Sequence, residues 1–244
     1  FVTAWMPGII LTQSITDVGM ITSTTYYSIG YIIFICIYEI GYIANDTIGI
    51  KHDTTPRRRF NTNLKSFFYQ GFIITRLSVF CIISSYFDLF KSTEFIVFYS
   101  SLAILLISHN LIKSVEFKFL TFIQLSVLRY TLPIVTPLII FGKTEYSVYI
   151  VLIAVFTFTY TRLITYQDSK NRLHIPERNN FNFLLKTLFF LIPILAIISL
   201  LMESKAPAII WLWLTANQLI YVFIYSLPNS SRLKSFLLTK KDNF

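Results

Sequence analysis

A pair of aspartates, an asparagine and a run of arginines crowd into one stretch of this sequence. From Glu39 to Arg59 it reads EIGYIANDTIGIKHDTTPRRR, which sets Asn45, Asp46 and Asp53 ahead of Pro56 and of Arg57, Arg58 and Arg59. Carboxylates near a helix end can hold Mg²⁺ through oxygen ligands, and Mg²⁺ commonly bridges a carboxylate to a substrate phosphate. Arginines beside them offer forked donors to phosphate oxygens. Together these residue types suit a diphosphate site. The plainer alternative is a solvated loop, with Asp46 and Asp53 capping a helix and the arginines placed by membrane topology alone.

A second group of polar residues sits inside apolar stretches, where a charge at helix centre costs about 2.5 to 3.5 kcal/mol on insertion scales. It comprises Glu39, Arg76, Arg129, His109 with Asn110, and Arg162 with Asp168. Glu39, Tyr42 and Asp46 recur at spacings of three and four, which places them on one helix face. Either Glu39 pairs with Arg76 or Arg129 to neutralise a buried charge, or the set opens together as a polar substrate cavity. In the cavity reading Arg57, Arg59, Arg76, Arg129, Arg172 and Tyr42 are candidate substrate-binding residues. Tyr42, Tyr160 and Tyr166 could present rings to a cationic group, or serve as ordinary interfacial aromatics.

The elements that must position these residues are membrane helices. The chain has 244 residues, 55% hydrophobic and 14% charged, too apolar for a water-soluble domain of that length. A helix needs roughly 20 apolar residues to cross the hydrocarbon core. Eight such runs are expected, at 2–19, 27–45, 66–88, 94–112, 119–142, 147–167, 183–202 and 206–227, forming a single all-α domain over 1–244. Lysines and arginines concentrate after spans two, four, six and eight, for example Lys51 to Lys65, Lys113 and Lys118, Lys170 to Lys186, and Arg232 to Lys241. Lys91, Lys143 and Lys205 fall on the other side. By the positive-inside rule both termini are cytoplasmic, or on the matrix side of an organellar inner membrane. The net charge of +9 is accounted for by this distribution and does not indicate a nucleic-acid partner. Cys36 and Cys81 lack metal-ligand spacing. Pro133, Pro137 and Pro193 lie within spans and shape their helices.

With the motif after span two in place, the chain resembles the UbiA superfamily of intramembrane prenyltransferases, whose first aspartate-rich motif, Asn-Asp-x-x-Asp-x-x-x-Asp, follows the second helix. Asn45, Asp46 and Asp53 match it, and Gly49 stands where the family has the middle aspartate. Lys113, at the end of span four, matches a lysine that contacts the diphosphate in that family. At the place of the second motif, after span six, Asp168 is present, but Ile164 and Arg172 occupy the flanking positions. The resemblance implies a Mg²⁺-dependent transferase that passes an isoprenoid from a prenyl diphosphate to an acceptor. It implies Asn45, Asp46 and Asp53 as metal ligands, Asp46, Lys113 and Asp168 as catalytic residues, and Lys113, Arg57 and Arg172 at the diphosphate. Two other classes stand beside it. One is a non-catalytic membrane subunit with partners in a larger complex, which the incomplete second motif favours. The other is a transporter using Glu39, Arg76 and Arg129 along its path.

Overall fold

The computed structural model describes residues 5–47, 66–160, 163–164, 167 and 191–226. Every element among them is helical: α1 (Trp5–Thr16), α2 (Met20–Thr47), α3 (Ser66–Tyr86), α4 (Thr93–Leu111), α5 (Val115–Ile140), α6 (Ser147–Ile153), α7 (Ile192–Leu201) and α8 (Ala206–Ser226). A π-helical stretch, Ala154–Thr159, continues α6. Four of these helices, α2 to α5, are long and apolar enough to cross a membrane. Their outward faces carry large apolar side chains such as Ile21, Phe67, Ile82, Ile104 and Ile107, the composition expected where lipid rather than water is the surrounding medium.

Local chemistry sets the ends. α1 stops and α2 begins at a tight corner where Asp17 adopts a left-handed backbone, a conformation that aspartate tolerates better than most residues. α2 therefore starts at Met20, several residues before the expected 27. Ser92 caps α4 by accepting from the backbone N–H of Phe95 at 3.2 Å, and its hydroxyl donates to Glu94 at 2.8 Å. Such a cap satisfies a backbone donor that the first turn would leave open.

α5 is the central helix, packed against α1, α2, α4 and α6, while α3 leans on α2, and α8 meets α1 and α7. One apolar core is built from α2, α4 and the first two-thirds of α5, around Phe34, Phe95, Leu102 and Leu132. A second joins α1, the later half of α5 and the helices from α6 onward, around Leu11, Leu138, Ile150 and Ile210. Pro133 and Pro137 both lie inside α5. Pro137 has no N–H to give to the carbonyl of Pro133, and α2 packs against α5 there. A Cβ on Gly30 would lie 2.5 Å from that carbonyl oxygen, so only glycine permits this approach.

The contacts also set directions. Gly30, early in α2, meets Pro133, late in α5. The Tyr99 hydroxyl, early in α4, lies 3.1 Å from that of Thr136, late in α5. α2 and α4 are thus parallel to each other and antiparallel to α5. The C-terminal ends of α2 and α4 consequently gather around the first half of α5, and the polar residues meet at that end.

Candidate functional site

Where those three helices converge they enclose a cavity of about 140 Å³, lined by Tyr38, Gly41, Tyr42 and Asn45 of α2, Leu106, His109 and Asn110 of α4, and Phe122, Leu125, Ser126 and Arg129 of α5. The α2 contribution follows a spacing of three and four, one stripe of the helix. On α4, Leu106, His109 and Asn110 do the same, as do Phe122, Leu125, Ser126 and Arg129 on α5. The cavity is thus the product of three helical faces rather than of a loop.

Polar contacts hold its walls in place. The Asn110 amide donates to the carbonyl of Leu106 at 2.9 Å and across to that of Gly41 at 3.2 Å. Two carbonyls fix the orientation of the amide, because its oxygen would repel both. A Cβ on Gly41 would sit 2.4 Å from a side-chain methyl of Leu106, so that leucine packs directly over the glycine. His109 Nδ1 lies 2.8 Å from the hydroxyl of Thr121. The same hydroxyl lies 2.9 Å from the carbonyl of Lys118, so it ties His109 to the first turn of α5.

Arg129 is the charged member of the set. It is half-buried and close enough to Tyr31, Tyr38, Tyr42 and Tyr130 to interact with them electrostatically. Among the described residues the carboxylate ion pairs are those of Glu39 with Arg76 and of Asp88 with Lys91, and neither involves Arg129.

The polar residues expected to act together separate into two places. Arg129, Tyr42 and Asn45 meet in the cavity. Glu39 instead forms an ion pair with Arg76 across α2 and α3, and Arg76 also lies over the Phe72 ring at 4.9 Å. The reason is angular. Each residue advances a helix by about 100°, so Glu39 and Asp46 share a side of α2 about a quarter turn round from the stripe of Tyr38, Gly41 and Asn45, with Tyr42 between the two. Asp46 is buried, 9% exposed, and is not among the residues lining the cavity. Lys113 is exposed just beyond the end of α4. Asp53, Arg57, Arg59, Asp168 and Arg172, together with Arg162 and Tyr166, lie outside the described residues. Tyr160 follows the π-helical stretch and is exposed.

Two features were absent from the reading of the sequence. Tyr38, Phe122 and Ser126 line the cavity. An aromatic column also runs along α2 to reach it, from Trp5 against Tyr31 (4.8 Å between centroids) through Phe34 and Tyr38 (4.9 Å) to Tyr42 (5.0 Å). The signal lay in the spacing of Tyr27, Tyr31, Phe34, Tyr38 and Tyr42 by four, three, four and four residues, which stacks rings on one face.

Among the described residues, no group of three or more histidines, cysteines, aspartates or glutamates could hold a metal ion. Of the two motif residues described, Asn45 lines the cavity and Asp46 does not. Compared with protein-family models, with curated proteins and with solved structures, the chain matches none.

Proposed function

We propose that this chain is an intramembrane prenyltransferase of the UbiA type, with eight spans and with the cavity end of the bundle facing the cytoplasm or matrix. The observation that carries the reading is Arg129, a half-buried cation without a carboxylate partner among the described residues, opening on a polar cavity at the end of the bundle where the motif Asn45-Asp46 is found. A cation withdrawn from water in this way favours an anionic ligand. Tyr38 and Tyr42, at the end of the aromatic column of α2, line the cavity, and their rings suit a carbocation formed from an isoprenoid chain. The basic residues Lys113, Arg57, Arg59 and Arg172 would hold the diphosphate, and Asn45, Asp46 and Asp53 would hold Mg²⁺, with Asp168 contributing from beyond span six. Bound Mg²⁺ would supply positive charge to the departing diphosphate. The chain's own part is to orient the allylic carbon, to keep water from it, and to meet developing negative charge with fixed cations.

The alternative, a non-catalytic membrane subunit, draws support from Ile164 and Arg172, which stand where a second acidic cluster would require carboxylates. One experiment separates the two. Purified protein in lipid is given a labelled prenyl diphosphate with and without Mg²⁺, and diphosphate release is followed for the wild type, Asp46→Asn and Lys113→Ala. The transferase reading expects metal-dependent release that both substitutions reduce by at least about a hundredfold. Absence of release and of Mg²⁺-dependent binding across several chain lengths would leave the structural subunit.

A further inference from the structure

His109 of α4 and Arg129 of α5 line the same cavity. Both are half-buried, and the other described residues that line it are uncharged. The ring of His109 is held at one edge, with Nδ1 2.8 Å from the hydroxyl of Thr121, itself 2.9 Å from the carbonyl of Lys118. Thr121 lies about two helical turns before Arg129, so the contact sets the imidazole against the helix that presents the guanidinium. The oxygen of Thr121 can accept from an Nδ1–H, which an imidazolium always carries, so the contact does not prevent His109 from taking up a proton.

Imidazole is the side chain whose charge ordinarily changes between about pH 5 and 8, whereas carboxylates, ammonium groups and guanidinium ordinarily titrate outside that range. The charged residues on the elements around His109 are of these other kinds: Glu39 and Asp46 on α2, Lys113 just past α4, and Glu116, Lys118 and Arg129 on α5. Over that range the charge of the cavity wall is therefore set by His109. Without an anion, imidazolium and guanidinium repel each other across a cavity that has no carboxylate among its described lining residues. An anion between them is attracted by both. A ligand that favours the charged form of a group binds with uptake of its proton, and by the same linkage its affinity rises where that proton is present.

We infer that anion binding in this cavity is coupled to protonation of His109, with the anion held between Arg129 and the imidazolium, so that affinity falls as the pH rises through the imidazole range. Below that range two cations meet the anion and binding is strongest; above it Arg129 alone remains. In the transferase reading, on which this further step rests, the anion is the diphosphate. His109 then regulates how firmly that group is retained, and product diphosphate leaves more readily at high pH than at low.

The test is equilibrium binding of sulfate and of methanedisulfonate to the full chain in lipid nanodiscs, with EDTA present. Both are small dianions whose own charge is constant over the range, so any pH dependence belongs to the protein. At least one is expected to bind at least about fivefold more tightly at about pH 5 than at about pH 8. His109→Asn and His109→Gln should each lower that ratio to under about twofold, while affinity at about pH 8 stays within about twofold of the wild type, because the imidazole they replace is neutral there. A variant that had merely damaged the cavity would lose affinity at both pH values. Equal binding at the two pH values in the wild type, a ratio that survives both substitutions, or binding of neither anion at about pH 5 would overturn the proposal. A ratio that depends on His109, found without diphosphate release from any prenyl diphosphate, would keep the coupling and remove the transferase reading. Diphosphate release accompanied by pH-independent anion binding would keep the transferase and remove the coupling.

Discussion

Gly30→Ala tests the packing that brings the cavity-forming helices together. A methyl group there would lie 2.5 Å from the carbonyl oxygen of Pro133 and 3.0 Å from the ring of Pro137. Neither neighbour is the free end of a flexible side chain, so α2 and α5 must part until the first distance reaches the 3.4 Å of ordinary contact. Overpacking of this kind costs about 1–3 kcal/mol, with a backbone obstacle toward the upper end. Alanine in place of a mid-helix glycine returns about 1 kcal/mol of helix propensity, leaving a net loss of roughly 1–2 kcal/mol. Gly71→Ala, in α3, provides the matched control, since a Cβ there meets nothing within 4 Å and only the propensity gain applies. Thermal unfolding in a single detergent should show Gly30→Ala below the wild type by several degrees, at about 2–4 °C per kcal/mol, and Gly71→Ala at or above it. Equal midpoints for the two variants would refute the close approach of α2 to the freed carbonyl of Pro133.

The Glu39–Arg76 ion pair is about a quarter to a third exposed at each side chain, 26% and 31%. Removing one partner with Arg76→Leu or Glu39→Leu should cost roughly 1–3 kcal/mol, less than the 3–5 kcal/mol of a fully buried pair. The double substitution should lie nearer the wild type than either single one, and a double-mutant cycle from denaturant unfolding measures the coupling. Additive losses would mean that the two charges do not depend on each other. Lys91 and Lys113 are exposed beyond opposite ends of α4. With Cys36 and Cys81 replaced by alanine, an impermeant thiol reagent outside sealed right-side-out vesicles should modify Lys91→Cys and spare Lys113→Cys. Labelling of both from one side would show that α4 does not cross.

Much of the fold was legible in the sequence because a helix surrounded by lipid must be apolar along its whole length, and this needs no knowledge of neighbours. The described helices α1 to α8 fall within or across the eight expected apolar runs, and four of them are long and apolar enough to span. The start of α2 was not legible, because its break from α1 depends on the left-handed corner at Asp17 rather than on a change in hydrophobicity.

Residue types and depth along each helix were also open to sequence reasoning. They placed Asn45, His109, Asn110 and Arg129 toward one end of the bundle and marked Glu39 and Arg76 as charges in need of partners. Which charge took which partner was decided by helix rotation. Glu39 faces α3 and meets Arg76, and Arg129 faces the space between α2 and α4. Spacing within one helix gives relative angles on that helix but no angle between helices. That angle is set by close approaches such as Gly30 on the carbonyl of Pro133, where the absence of a side chain on one helix fits a feature of another. The sequence by itself determined an apolar, all-helical chain with its polar chemistry gathered at one end. Tertiary packing alone decided that Arg129 opens on a cavity with Asn110 and Ser126, because only the meeting of three helices leaves that space between them.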